Sequence, residues 1–165
     1  MSAYSTGPDD GSAVRRRVEQ GVDRFRAVQA LQASDLAAAI VADGLDILVD
    51  LTGHTEHSRS EALALRCAPV QVSYLGFPGT MGAPWIDFLL TDEGLTPPQV
   101  RHWFDEAFAL VPGGYLVSPS AARAPAPSRE MLGLPANGVV FCCFNASYKI
   151  RSDVFAAWML SLIHI

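Results

Sequence analysis

The sequence predicts an α/β chain: a doubly wound layer of short parallel strands, followed by the opening of a second lobe. Three observations carry this. Short apolar, β-branched runs end in glycine-bearing loops, segments of helical period lie between them, and a stretch rich in Pro, Ala and Ser breaks the pattern near residues 118–129. The 165 residues correspond to one domain, or one lobe and a piece of another. Half the residues are apolar and 18% are charged, enough for a core and too apolar for wholesale disorder.

The elements follow in order. Pro8-Asp9-Asp10-Gly11-Ser12 has turn and cap chemistry, and Val14, Val18, Val22, Phe25 and Val28 recur behind it at helical spacing, so one amphipathic helix is expected from Val14 to Val28. Ser34 is expected to cap a second helix, Asp35 to Ala42, which Gly44 ends. Leu45 to Leu51 then reads as a buried parallel strand opening at Gly53. A loop, Thr52 to Ser60, leads to a short helix over Glu61 to Cys67 and a strand over Val70 to Leu75. The connector Gly76 to Gly82 precedes a third strand, Ile86 to Asp92. A helical or irregular piece, Pro97 to Glu106, and a fourth strand, Phe108 to Val111, complete the first lobe, residues 1–117.

Residues 118–129 read as a linker, since prolines, alanines and serines offer little to bury. Beyond it, residues 130–165 read as the truncated start of a second lobe. They comprise a short helix over Glu130 to Leu134, a strand over Val139 to Phe144, and a helix from Ser152, its cap, to Leu162. One such step does not close a sheet, so the chain reads as an internal fragment.

Charge and cysteines narrow the function classes. Twelve basic against seventeen acidic residues give a net charge of −5, which leaves no broad basic surface for nucleic acid. Cys67 and the adjacent Cys142 and Cys143 form no disulfide framework, in keeping with a reducing cytoplasm. No apolar run reaches the roughly 20 residues that a membrane helix needs.

Three strings offer chemistry. Leu75-Gly76-Phe77-Pro78-Gly79-Thr80 ends a predicted strand, and its glycines allow backbone to approach a sugar or phosphate closely. It matches neither the Gly-x-x-x-x-Gly-Lys nor the Gly-x-Gly-x-x-Gly pattern, and a tight turn without a ligand is the plain alternative. Phe144-Asn145-Ala146-Ser147-Tyr148-Lys149-Ile150 sets an ammonium between a strand and the start of a helix, a place suited to a diphosphate; the plain alternative is a solvated lysine. Gly53-His54-Thr55-Glu56-His57 holds imidazoles three residues apart, but no third ligand completes a metal set. His54 is the candidate there for a polar contact or proton transfer. Asp9 and Asp10 read as helix caps rather than an acid–base pair, and His102 and His164 have no evident partners.

Together, four strings are far more specific than any one. Tyr4 to Gly11, Asp43 to Thr55, Ala68 to Thr80, and Phe144-Asn145 with Tyr148-Lys149-Ile150 occur in an order that resembles the O-linked N-acetylglucosamine transferases, chiefly their bacterial SPINDLY-like members. In those proteins tetratricopeptide repeats precede a two-lobed catalytic region. The resemblance implies a Rossmann-like lobe of a GT-B glycosyltransferase plus the beginning of the second lobe. It implies inverting transfer of N-acetylglucosamine from UDP-N-acetylglucosamine to Ser or Thr of a protein, with no metal or other cofactor. By motif, Leu75, Gly76 and Pro78 would line the sugar pocket, with His54 as a further substrate contact, and Lys149 would contact the diphosphate and offset leaving-group charge. Both sites sit on different lobes, so the fragment alone is expected to be inactive.

The chain departs from the family where Ala146 stands in place of a frequent glutamine, and where His54 replaces an aromatic or polar residue. An Asp-Phe-Gly-x-His-Pro-like string is expected before Tyr4, and His-Thr-rich nucleotide loops after Trp158; residues 160–165 do not resemble the family's continuation. Related enzymes that glucosylate asparagine or transfer fucose from GDP, and a noncatalytic α/β interaction module, are the alternatives. The expected partners are a UDP-sugar and a protein or peptide acceptor.

Overall fold

The computed structural model describes residues 1–117 and 125–163. It divides into two units, Met1–Pro119 and Ser120–Ile165. Residues 118–124 of the expected linker, and His164, lie outside the described residues.

In the first unit, strands β1 (Ser2–Ser5) and β2 (Arg24–Ala27) form a parallel pair. Strands β3 (Ile47–Asp50), β4 (Val70–Ser73), β5 (Phe88–Thr91) and β6 (Ala107–Leu110) form a second parallel sheet in that order. Helices α1 (Ala13–Gln20), α2 (Ala33–Ala42) and α3 (Ser60–Leu63) lie between strands, and a 3₁₀ helix, Pro98–Trp103, leads toward β6. The α/β class with parallel strands and intervening helices is therefore as the sequence predicts. A single core joins α2, through Leu36, Ala37 and Ile40, to Val28, Leu48, Ala62, Leu63 and the segment from Met81 to Ile86.

Local chemistry explains where the elements stop. The Ser12 hydroxyl accepts from the Arg15 amide at 3.0 Å and caps α1. Asp9 and Asp10 instead accept from the Gly11 and Ser12 amides at 2.8 and 2.9 Å, making the turns that lead into the cap. The expected helix to Val28 ends early. Gly21 closes it, its amide bonded to Arg17 and Val18, because residues 24–27 gain a ladder against β1 that their helical spacing did not announce. Strand β1 has no counterpart among the elements that the sequence predicts. Helix α2 begins at Ala33 with Gln32 before it, so Ser34 lies inside its first turn rather than at its cap.

The expected strand Leu45 to Leu51 pairs over Ile47–Asp50, but it is not buried on both faces: only Leu48 is buried, while Ile47 and Val49 are exposed. The piece from Pro97 to Glu106 resolves as a 3₁₀ turn beginning behind Pro97.

Gln71 ties the base of the sheet. Fully buried, it accepts from the Cys67 amide at 3.0 Å and donates to the carbonyls of Leu63 and Trp85 at 2.9 and 2.7 Å. Its own amide donates to Asp87 at 2.8 Å. Burial works to raise the Asp87 carboxyl, but this amide and the Arg66 guanidinium outweigh it and hold it below the usual range.

In the second unit the structure has helix α4 (Ser152–Ile163) and a 3₁₀ turn, Ser147–Lys149. Ser152 is the first helical residue of α4 rather than a cap outside it. The expected helix over Glu130 to Leu134 forms only turns, and the expected strand over Val139 to Phe144 pairs with nothing among the described residues. A strand needs a neighbour to satisfy its amides, and Phe144 is exposed.

Candidate functional site

The loops that follow β3 and β4 meet at the carboxyl ends of these parallel strands, the end where such sheets place ligands. After β3, the Asp50 carboxylate accepts from the amides of Thr52 and Gly53 at 2.9 and 3.2 Å and turns the chain outward. Gly53 has φ +59, and a Cβ there would lie 2.5 Å from the Cβ of Phe77. The two loops thus interlock where a side chain would not fit.

After β4, the Tyr74 amide donates to the Asp50 carbonyl at 2.9 Å. Leu75 has φ +68, a left-handed conformation that costs a branched side chain of order 1–3 kcal/mol. Gly76 follows with no room to spare, since a Cβ there would stand 2.1 Å from the Leu51 carbonyl oxygen. The chain can turn this tightly only because position 76 has no side chain. Leu75, Gly76 and Pro78 are consequently exposed, while Phe77 between them is half-buried against the core.

His54, also exposed, donates from Nε2 to the Met81 carbonyl at 3.0 Å and stacks edge-on against Phe77, with ring centroids 5.1 Å apart. The structure therefore brings His54 beside the Leu75–Pro78 turn. His57 turns elsewhere: a Cβ on Gly7 would lie 3.3 Å from its ring. Among the described residues no three His, Cys, Asp or Glu side chains gather in a metal-binding group.

Glu106 anchors the far side of the same loop and was not foreseen from sequence. At 2% exposure its carboxylate accepts from the Met81 amide at 2.6 Å and from the Thr80 hydroxyl at 2.9 Å. The Thr80 hydroxyl in turn accepts from the Gly82 amide at 3.0 Å. No motif marks this residue; it lies next to Asp105 in a segment of irregular period, and only the fold carries it under the loop.

Lys149 closes the 3₁₀ turn of the second unit, three residues before α4. It is exposed, with Nζ 5.8 Å from the centre of the Tyr148 ring. Ala146 precedes that turn and presents no polar group.

The model of glycosyl transferase family 41 matches residues 1–126. A probable UDP-N-acetylglucosamine–peptide N-acetylglucosaminyltransferase, SEC, of Arabidopsis thaliana is 35% identical over 162 residues, covering 94% of this chain and 17% of the plant protein. A UDP-N-acetylglucosamine–peptide N-acetylglucosaminyltransferase of Caenorhabditis elegans is 32% identical over 119 residues, or 72% of this chain and 10% of its own length. Among solved structures, an O-GlcNAc transferase of Thermobaculum terrenum superposes with a TM-score of 0.69 at 35% identity, over 76% of this chain and 25% of that one. The chain thus spans a small part of the relatives it matches. No helix among its described residues is long and apolar enough to cross a membrane.

Proposed function

Because this chain belongs to glycosyl transferase family 41, we propose that it is part of the catalytic region of a protein O-GlcNAc transferase, which moves N-acetylglucosamine from UDP-N-acetylglucosamine to Ser or Thr of a protein acceptor. The observation that carries the reading is the pinned turn at Leu75–Pro78. It stands exposed at the carboxyl end of a parallel strand, in a chain 35% identical to proteins named for this transfer.

In this reading Leu75, Gly76 and Pro78 hold the sugar, and His54 supplies a polar edge. A turn already locked by Glu106 and Phe77 loses little freedom when substrate arrives, so binding energy is available for the transition state. Inverting transfer breaks the bond between the anomeric carbon and the diphosphate oxygen. The acceptor hydroxyl oxygen attacks from the opposite face, its proton passes to solvent, and the electron pair of the broken bond leaves on the diphosphate oxygen of UDP. Lys149 meets the negative charge that grows on the departing diphosphate, which gives the reaction its electrostatic assistance without a metal. A cytoplasmic setting accords with the three free thiols, Cys67, Cys142 and Cys143.

The test is Lys149→Ala in the full-length protein. Transfer of labelled N-acetylglucosamine from UDP-N-acetylglucosamine to a protein acceptor is expected to fall by about 10²–10³-fold, the loss usual for one charge-stabilising donor. The melting temperature should stay the same, since the side chain is exposed. Undiminished turnover would remove Lys149 from the site.

A further inference from the structure

The turn on which the proposed sugar site rests is strained. The Gly76 amide donates to the Tyr74 carbonyl at 2.9 Å, two residues back, so Leu75 is the middle of a three-residue turn. With Leu75 at φ +68 this is the rarer of the two γ-turn forms, and a turn of that kind persists only where surrounding structure fixes it.

Glu106 fixes its far end through Thr80 and Met81. Tyr74 fixes the near end and is itself held at three points. Its amide donates to the Asp50 carbonyl at 2.9 Å, its carbonyl accepts from Gly76, and its hydroxyl donates to the Tyr115 carbonyl at 2.8 Å. The Tyr74 and Tyr115 rings meet edge to face, with centroids 5.4 Å apart.

Tyr115 is a firm anchor for this bond. After β6 the Val111 amide donates to the Thr91 carbonyl at 2.8 Å, and the chain then turns at Gly113 and Gly114, whose φ values are +88 and +126. The Tyr115 amide donates to the Asp92 carboxylate just beyond β5, and Asp92 also accepts from the Leu95 amide at 2.8 Å. Bonds from Leu95 and Tyr115 hold the Asp92 carboxyl below its ordinary range. The segment after β6 thus passes over the end of β5 and reaches the end of β4, with side chains holding both the amide and the carbonyl of Tyr115. The Tyr115 hydroxyl is buried beside the Leu75 amide; burial pushes this phenol up while that amide pulls the other way.

We propose that Tyr74 and Tyr115 are positioning residues for the donor sugar: the Tyr74 hydroxyl, seated on the Tyr115 carbonyl, keeps the strained Leu75 turn in the shape that receives it. They act through the turn rather than by touching substrate. The inference rests on the reading of Leu75, Gly76 and Pro78 as the sugar site. Without this bond the turn relaxes and must be re-formed at each binding event, which weakens ground and transition states alike and raises KM rather than lowering kcat.

Tyr74→Phe in the full-length protein tests it, because it removes the hydroxyl and keeps the ring. KM for UDP-N-acetylglucosamine is expected to rise about 3–10-fold, the worth of one neutral hydrogen bond, with kcat within about 2-fold. The inhibition constant of UDP, which has no sugar to seat, should not move. Tyr4→Phe is the matched control: it deletes a hydroxyl bonded to Asp43 at 2.6 Å, before β3 rather than beyond it, and should cost stability while leaving KM unchanged. An unchanged KM in Tyr74→Phe, where Pro78→Ala raises it, would overturn the positioning role and leave the sugar site standing. An unchanged KM in both would remove the sugar site, and the positioning role with it. A rise matched by the UDP inhibition constant, or reproduced by Tyr4→Phe, would also overturn the proposal, since general loosening would then explain it.

Discussion

Glu106 shows how one buried carboxylate sets the shape of an exposed loop. Removing it in Glu106→Ala leaves the Met81 amide buried without an acceptor and the Thr80 hydroxyl short of its partner. The expected loss is about 1–3 kcal/mol, read as a lower urea midpoint at unchanged slope, and Glu106→Gln should lose less because an amide oxygen still accepts. Glycines 76 and 79 make a sharper contrast. A methyl at Gly76 meets the Leu51 carbonyl at 2.1 Å, whereas one at Gly79 meets the Phe77 ring at 2.9 Å. Backbone yields less readily than a ring, so Gly76→Ala is expected to cost at least about 2 kcal/mol and Gly79→Ala clearly less, by the same denaturation measurement. The Leu75–Thr80 string is visible as a special turn from its residues alone. The φ of Leu75 and the carbonyl that forbids a side chain at position 76 are not, because they depend on a strand more than twenty positions upstream.

Among the elements, the junction of β1, β2 and α2 is held by Asp43. Its side chain, 3% exposed, accepts from the Tyr4 hydroxyl at 2.6 Å and from Arg26 at 2.8 Å, and pairs with Arg24. The bonds from Arg26 and Tyr4 hold the Asp43 carboxyl below its ordinary 3.8, while burial and the same hydrogen bond push the Tyr4 hydroxyl up to about 12. A carboxylate depressed in the folded state stabilises fully above its unfolded value, and that contribution is lost as pH falls through the folded one. Melting temperature is therefore expected to hold from neutrality to about pH 5 and to fall on further acidification. Asp43→Asn should make that fall shallower, although Asp87 and Asp92 share in it. Nothing local announces this junction. Residues 22–28 carry apolar spacing that suits a helix, and the alternation of Arg24, Phe25 and Arg26 becomes a strand only because β1 is present to pair with it. By contrast, β3, α2, β4 and β5 are legible within a few residues, since their apolar runs serve a core whichever neighbours they have.

For the whole molecule, the α/β class follows from the alternation of runs and periods, and the family from the order of four strings whose members are scattered over both units. The second unit was less legible. Val139 to Phe144 has the composition of a strand, and composition cannot supply the neighbour that would pair with it. Strand β3 is half uncovered, with Ile47 and Val49 exposed, although its residues read as a central strand. The mutual fit of Phe77 with Gly53, Gly79 and His54 also bears on protein engineering. Gly53 and Phe77 form the tight part of this joint, so a library that randomises either alone will mostly sample destabilised variants. If Leu75 and Pro78 hold the sugar as proposed, diversity aimed at new sugar selectivity belongs there, at the outward-facing positions that the joint holds still.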